Sequence, residues 1–206
     1  MADATAELPL SFQVPDPFQD LDFQLSPAEN TNKLLDKLQS ISPKPSDEQI
    51  AHAALAQQAM YEMLSSAGAA YAGVLLSGPS PEHPDRPLSS VLLSVIARPS
   101  ELANEDTVHR LSRTMGALYP EAEVGVVRLK TGPAVLVTEE TKVEQPVNLL
   151  VDDSAPTRVR QLHVFVPIPG RYAMADFCIA TENVDEWDDC VQILARVCDT
   201  ITFADA

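Results

Sequence analysis

The sequence predicts an α+β fold, a large antiparallel β-sheet packed against helices, on three observations. Segments rich in Val, Leu and Ile come in consecutive pairs joined by turn-forming stretches, which favours antiparallel pairing. Helical periodicity falls in separate blocks rather than alternating strand by strand, which argues against a parallel sheet. With 206 residues of which 45% are hydrophobic, the chain can bury a full core, and global disorder is excluded. Residues 1–206 are expected to form one domain with a short flexible N-terminal tail.

The elements follow in order. Leu8-Pro9-Leu10-Ser11-Phe12-Gln13-Val14 alternates before Pro15 and reads as a short, proline-flanked edge strand. Phe12, Phe18 and Phe23 can clasp a partner chain or dock the N-terminal segment, and docking is the simpler reading. Leu34, Leu35, Leu38 and Ile41 mark one stripe of a helix that Pro43 ends. Ser46-Asp47-Glu48-Gln49 is a capping box, opening a helix to about Ala67. The periodic residues of that helix, Ile50, Ala53, Ala54, Gln57, Met60, Met63 and Leu64, are mostly small, which predicts close packing on a sheet.

Ala72–Ser77 and Leu88–Ala97 form a long-looped hairpin, or a parallel pair. Asn104 or Thr107 caps a helix carrying Val108, Leu111, Met115 and Leu118, which ends before Pro120. Glu123–Lys130 and Ala134–Val143 flank the turn Thr131-Gly132-Pro133. After a polar interruption with Asp152-Asp153 at its tip, Gln161–Pro167 and Tyr172–Thr181 make a third hairpin. Asn183 or Asp185 caps a last helix with Trp187, Val191, Leu194, Cys198 and Ile201 on its apolar stripe.

Charge and composition narrow the function classes. Fourteen Lys and Arg against 30 Asp and Glu leave a net charge of −16, the opposite of what neutralising a phosphate backbone requires, so nucleic acid is not an expected partner. No run of apolar residues is long enough for membrane insertion. The N-terminus carries no basic and apolar export signal, and three clustered cysteines do not make a disulfide scaffold; a cytoplasmic protein with reduced thiols is the expectation.

Motifs that would announce catalysis are missing: no Gly-x-Ser-x-Gly, no Gly-rich phosphate loop, no His-Glu-x-x-His and no Cys-x-x-Cys. The expectation is therefore no enzyme, with no catalytic residue, cofactor or metal. His52, His83, His109 and His163 fall in four different elements and read as surface or satisfied core histidines. Cys178, Cys190 and Cys198 read as small buried hydrophobes, Trp187 as core, and Asp152-Asp153 as a solvated turn lacking calcium-loop spacing.

Met174-Ala175-Asp176-Phe177-Cys178-Ile179-Ala180-Thr181, the acidic helix start Asp185-Glu186-Trp187-Asp188-Asp189-Cys190 and the closing Ile201-Thr202-Phe203 together resemble the ending of PsbP-like domains. Leu10-Ser11-Phe12-Gln13-Val14-Pro15-Asp16-Pro17-Phe18 resembles their first strand. The resemblance is to the bacterial branch of that family. It implies an α/β/α sandwich whose characterised members bind proteins, and it carries over no catalytic residue. The long helix after Ser46 departs from the shorter members, and the lack of a lipidation cysteine departs from the exported ones.

These readings converge on a non-enzymatic, acidic adaptor or chaperone-like protein whose partner is another protein, with Asp185, Glu186, Asp188 and Asp189 as candidate partner-binding residues. Carboxylates in the first turn of a helix also stabilise its dipole without any partner. A secretion chaperone holding an export substrate is the nearest alternative, and it calls for a homodimer. A different class is a small-ligand protein or enzyme with a cleft site drawn from His109, His163, Glu139 or Tyr172.

Overall fold

The computed structural model describes residues 9–16, 18–40, 44, 46–77, 89–100, 105–143 and 157–204. In chain order the elements are β1 (Leu10–Ser11), β2 (Gln19–Asp20), α1 (Pro27–Ser40), α2 (Asp47–Ser66), β3 (Ala69–Ser77), β4 (Ser89–Pro99) and α3 (Glu105–Leu118). They continue with β5 (Glu123–Leu129), β6 (Gly132–Val143), β7 (Thr157–Pro167), β8 (Ala173–Thr181), a 3₁₀ turn (Val184–Glu186), α4 (Trp187–Asp199) and β9 (Thr202–Phe203). Seven strands form one antiparallel sheet in the order β2-β3-β4-β8-β7-β6-β5, while β1 and β9 form a separate pair.

Strand alternation sends side chains to two faces, each covered by helix. On one face Val91, Leu93 and Val95 of β4, Phe177 and Ile179 of β8, and Leu162 and Val164 of β7 pack beneath Cys190, Leu194, Val197 and Cys198 of α4. On the other face, Leu64 and Met60 of α2 meet Ala72, Val74 and Ile96, and Val108, Leu111 and Met115 of α3 meet Val135, Val137 and Phe165. The result is an α+β molecule with a large antiparallel sheet, as the paired strand segments predict. The β3–β4 pair is antiparallel, which settles the choice left open there.

Local sequence explains the helix starts. Ser46 Oγ accepts from Gln49 N (3.2 Å) while Ser46 N donates to Gln49 Oε1 (2.8 Å), completing the expected capping box. A second box begins α1: Glu29 N donates to Ser26 Oγ (3.3 Å), and Ser26 N donates to Glu29 Oε2 (2.8 Å). Ser26 Oγ also donates to Glu29 Oε2 (2.7 Å), and that bond, with the one from Ser26 N, holds the Glu29 carboxyl below its ordinary pKa. Gly68, with φ +70°, takes the left-handed turn that lets β3 follow directly on α2.

Four expectations need correction. The first strand is only two residues long, because its pairing partner β9 offers only two. Thr107 does not cap α3; it sits inside the helix and is buried, while Asn104 lies outside the described residues. Met63 is 61% exposed, since α2 packs chiefly on α1 and meets the sheet mainly along β3. Val191 is exposed on α4, and the buried stripe runs instead through Cys190, Leu194, Val197 and Cys198. Asp152, Asp153, His83, Ile41, Pro43 and the His52 side chain lie outside the described residues.

Candidate functional site

The four acidic candidates lie where β8 gives way to α4. Asn183 N donates to Thr181 Oγ1 (3.0 Å), and Asn183 Oδ1 then accepts from Asp185 N (3.3 Å), so Asn183 caps the 3₁₀ turn that leads into the helix. This geometry splits the four. Asp185, Asp188 and Asp189 are exposed, but Glu186 is buried at 7% exposure, so it is no part of a solvent-facing patch. The 3₁₀ turn rotates it inward.

What Glu186 faces is a cavity of about 330 Å³ between α4 and the β3–β4 hairpin. Leu75, Val91 and Ile193 supply apolar wall, Glu186 and Asp189 line it near the start of α4, and Arg196 lines it two turns further on. Asp185 and Asp188 do not line it. Cys190 also borders the cavity; burial, with the charge of Asp189, pushes its thiol up to about 11, so it stays protonated. Burial, with the charge of Asp199, pushes Cys198 up to about 12. The groove therefore offers shape, apolar surface and charge, and a protonated thiol without nucleophilic character.

The opposite face holds a polar cluster at the centre of the sheet. Register places His163 of β7 beside Cys178 of β8, and alternation puts Asp176 on the same face as Cys178. His163 Nδ1 lies 2.9 Å from Asp176 Oδ1, and His163 Nε2 lies 3.7 Å from Cys178 Sγ and 3.9 Å from Glu139 Oε1. Arg98 Nε donates to the other Asp176 oxygen at 2.8 Å. The Asp176 side chain is 1% exposed and held between two cations, and the His163 ring stacks on Phe165 at 5.7 Å. Burial alone would lower the His163 pKa. The hydrogen bond to Asp176, with Cys178 beyond it, outweighs that and raises it to about 10.

Of the cleft residues considered from sequence, His163 and Glu139 meet here. His109 lies on the exposed side of α3, and Tyr172 is 77% exposed at the β7–β8 turn. Sequence reasoning missed Asp176, Arg98 and the pairing of Cys178 with His163. One signal was available: Asp176 is the single charged residue in the otherwise apolar strand Ala173–Thr181, and a buried charge demands a partner.

The three cysteines are free and do not meet, because Cys178 points to the face away from α4. Among the described residues no group of three or more His, Cys, Asp or Glu side chains is placed to hold a metal ion, and no helix is long and apolar enough to cross a membrane. No protein-family model, curated protein or solved structure matches this chain.

Proposed function

We propose that this chain is an acidic, non-enzymatic adaptor that holds a basic, amphipathic segment of another protein along α4. One observation carries the reading: the groove with apolar walls of Leu75, Val91 and Ile193 has Glu186 and Asp189 lining it and Asp185 and Asp188 exposed beside it. A segment with Lys or Arg next to a leucine-like anchor matches that surface in charge and in chemistry. The net charge of −16 adds long-range attraction for such a partner and repels acidic ones. The resemblance of both chain ends to PsbP-like domains agrees with a protein-binding role.

The test uses a labelled peptide alternating Lys and Leu, followed by fluorescence anisotropy. Asp185→Asn/Asp188→Asn/Asp189→Asn is compared with Asp36→Asn/Glu62→Gln/Glu121→Gln, which removes the same charge from exposed positions elsewhere. Loss of binding confined to the first triple supports the groove. Equal loss in both would leave only bulk charge and overturn it.

The chaperone reading draws on a different observation. α2 carries no charged residue between Glu48 and Glu62, and Leu55 and Met63 on it are each 61% exposed. On an acidic protein, that uncharged face is where a second copy meets least repulsion. Light scattering that returns a strict monomer over a wide concentration range removes this reading.

A further inference from the structure

The geometry points to Cys178 as a nucleophilic thiol, served by His163 and positioned by Asp176, that takes small neutral or cationic disulfides and alkylating electrophiles. This is independent of the α4 groove, which lies on the other face of the sheet.

Three observations support it. The first is the ordered line Cys178 Sγ–His163 Nε2–His163 Nδ1–Asp176 Oδ1, with spacings of 3.7 Å and 2.9 Å. A thiol, an imidazole and an orienting carboxylate in that order form the arrangement by which a sulfur nucleophile is activated. The second is that Asp176 fixes the ring through Nδ1 and leaves Nε2 facing the thiol, while Arg98 and Phe165 restrain the carboxylate and the ring in turn. The third is contrast within the chain. All three cysteines are buried, but Cys190 and Cys198 have Asp189 and Asp199 beside them, whereas Cys178 has an imidazole.

Access is provided by the way the helices divide this face. α2 covers the β3 side and α3 covers β5 and β6, each with apolar side chains, and the cluster lies on β7 and β8 between the two apolar patches. It reaches solvent at its edge through His163, whose side chain is 17% exposed, and Glu139, at 30%. Among the described residues, the charged groups facing the thiol and ring are Asp176 on β8, Glu139 on β6 and, through Asp176, Arg98 on β4. Glu139 at the mouth disfavours anionic reagents, which sets the expected electrophile class.

The exchange balances as follows. The Cys178 thiol proton passes to solvent, and the thiolate, stabilised by the His163 imidazolium, attacks one sulfur of the disulfide. A new S–S bond forms as the old one breaks, and the departing thiolate takes up a proton. Cys178 is oxidised to a mixed disulfide, and half of the reagent is reduced to its thiol.

The experiment treats the full folded chain with iodoacetamide or with cystamine, and maps modification at each cysteine by mass spectrometry as a function of pH. Cys178 is expected to react first. His163→Gln is expected to slow it by about tenfold or more at neutral pH, the effect of losing about 1.4 kcal/mol of transition-state stabilisation, with Cys190 and Cys198 unreactive throughout. A Cys178 rate no greater than those of Cys190 and Cys198, or one unchanged in folded His163→Gln, overturns the proposal. Should His163→Gln loosen the fold, Cys190 and Cys198 would react as well, and the order in which the three cysteines of the unaltered chain react then decides alone. Faster reaction with cystamine than with a dianionic aliphatic disulfide such as dithiodipropionate, each rate taken relative to that of free cysteine with the same reagent, supports the role given to Glu139, and the reverse order overturns the electrophile class.

Discussion

Asp176 shows how one residue ties stability to chemistry. Its carboxyl group is 1% exposed, and Arg98 and His163 both bond to it. Removing it strands His163, whose side chain is 17% exposed, while Arg98, at 52%, can turn to solvent, so Asp176→Ala is expected to cost about 3 kcal/mol by urea unfolding. His163 makes the same network pH-dependent. Its folded pKa is raised to about 10 from 6.5. A raised folded pKa means that the native state holds the proton more tightly than the unfolded chain does. The stabilisation is therefore complete below about pH 6.5, and it declines as pH rises until it is lost through about pH 10. Unfolding curves for the unaltered chain should show that decline, and His163→Gln should flatten it; identical slopes would mean that His163 is not the group titrating. This cluster was half legible in the sequence. His163 and Glu139 stood out as chemistry-bearing residues, but their partners depend on strand register, which residue types alone do not specify.

At the scale of single elements, local rules predicted helix ends better than they predicted buried faces. Both ends of α2 match expectation, because the Ser46–Gln49 box and Gly68 act through neighbouring backbone alone. Ser46→Ala should cost about 1 kcal/mol, read as a lower urea midpoint at unchanged slope. The face of α4 was less legible. Val191 and Cys190 are adjacent, and either extends an apolar stripe through Leu194; in the folded chain Cys190 is buried and Val191 is exposed. Leu194→Ala should therefore cost about 2–5 kcal/mol, and Val191→Ala no more than about 0.5 kcal/mol. Comparable losses would place the buried stripe elsewhere. Glu186 belongs to the same lesson: its type and position suggested a surface patch, and a three-residue 3₁₀ turn placed it against the cavity instead.

Across the whole molecule, the sheet order is what periodicity could not convey. After β4 the chain crosses through α3 to the far edge, and β5, β6, β7 and β8 then step back one by one until β8 lies beside β4. Alternation tells which residues share a face and is silent about which strands become neighbours. The closing of the chain ends is equally non-local: Leu10 pairs with Phe203, Ala204 N donates to Pro9 O (3.0 Å), and Gln13 N donates to Thr200 Oγ1 (2.8 Å). These bonds bring Phe12 edge-on to both Tyr71, at 5.5 Å, and Phe177, at 5.3 Å, so the N-terminal segment seals the central aromatic of the core. Phe12 is only partly buried, so Phe12→Ala should cost about 3 kcal/mol, the low end of the range for a buried phenylalanine. In a domain of this size that lowers Tm by roughly 6–12 °C. Phe23→Ala is the control, since Phe23 packs on Tyr61 of α2, away from Phe177. If Phe12→Ala lowers Tm no more than an exposed-site substitution such as Val191→Ala, the end clasp contributes nothing to the core, and Phe12 is then free to serve a partner chain instead.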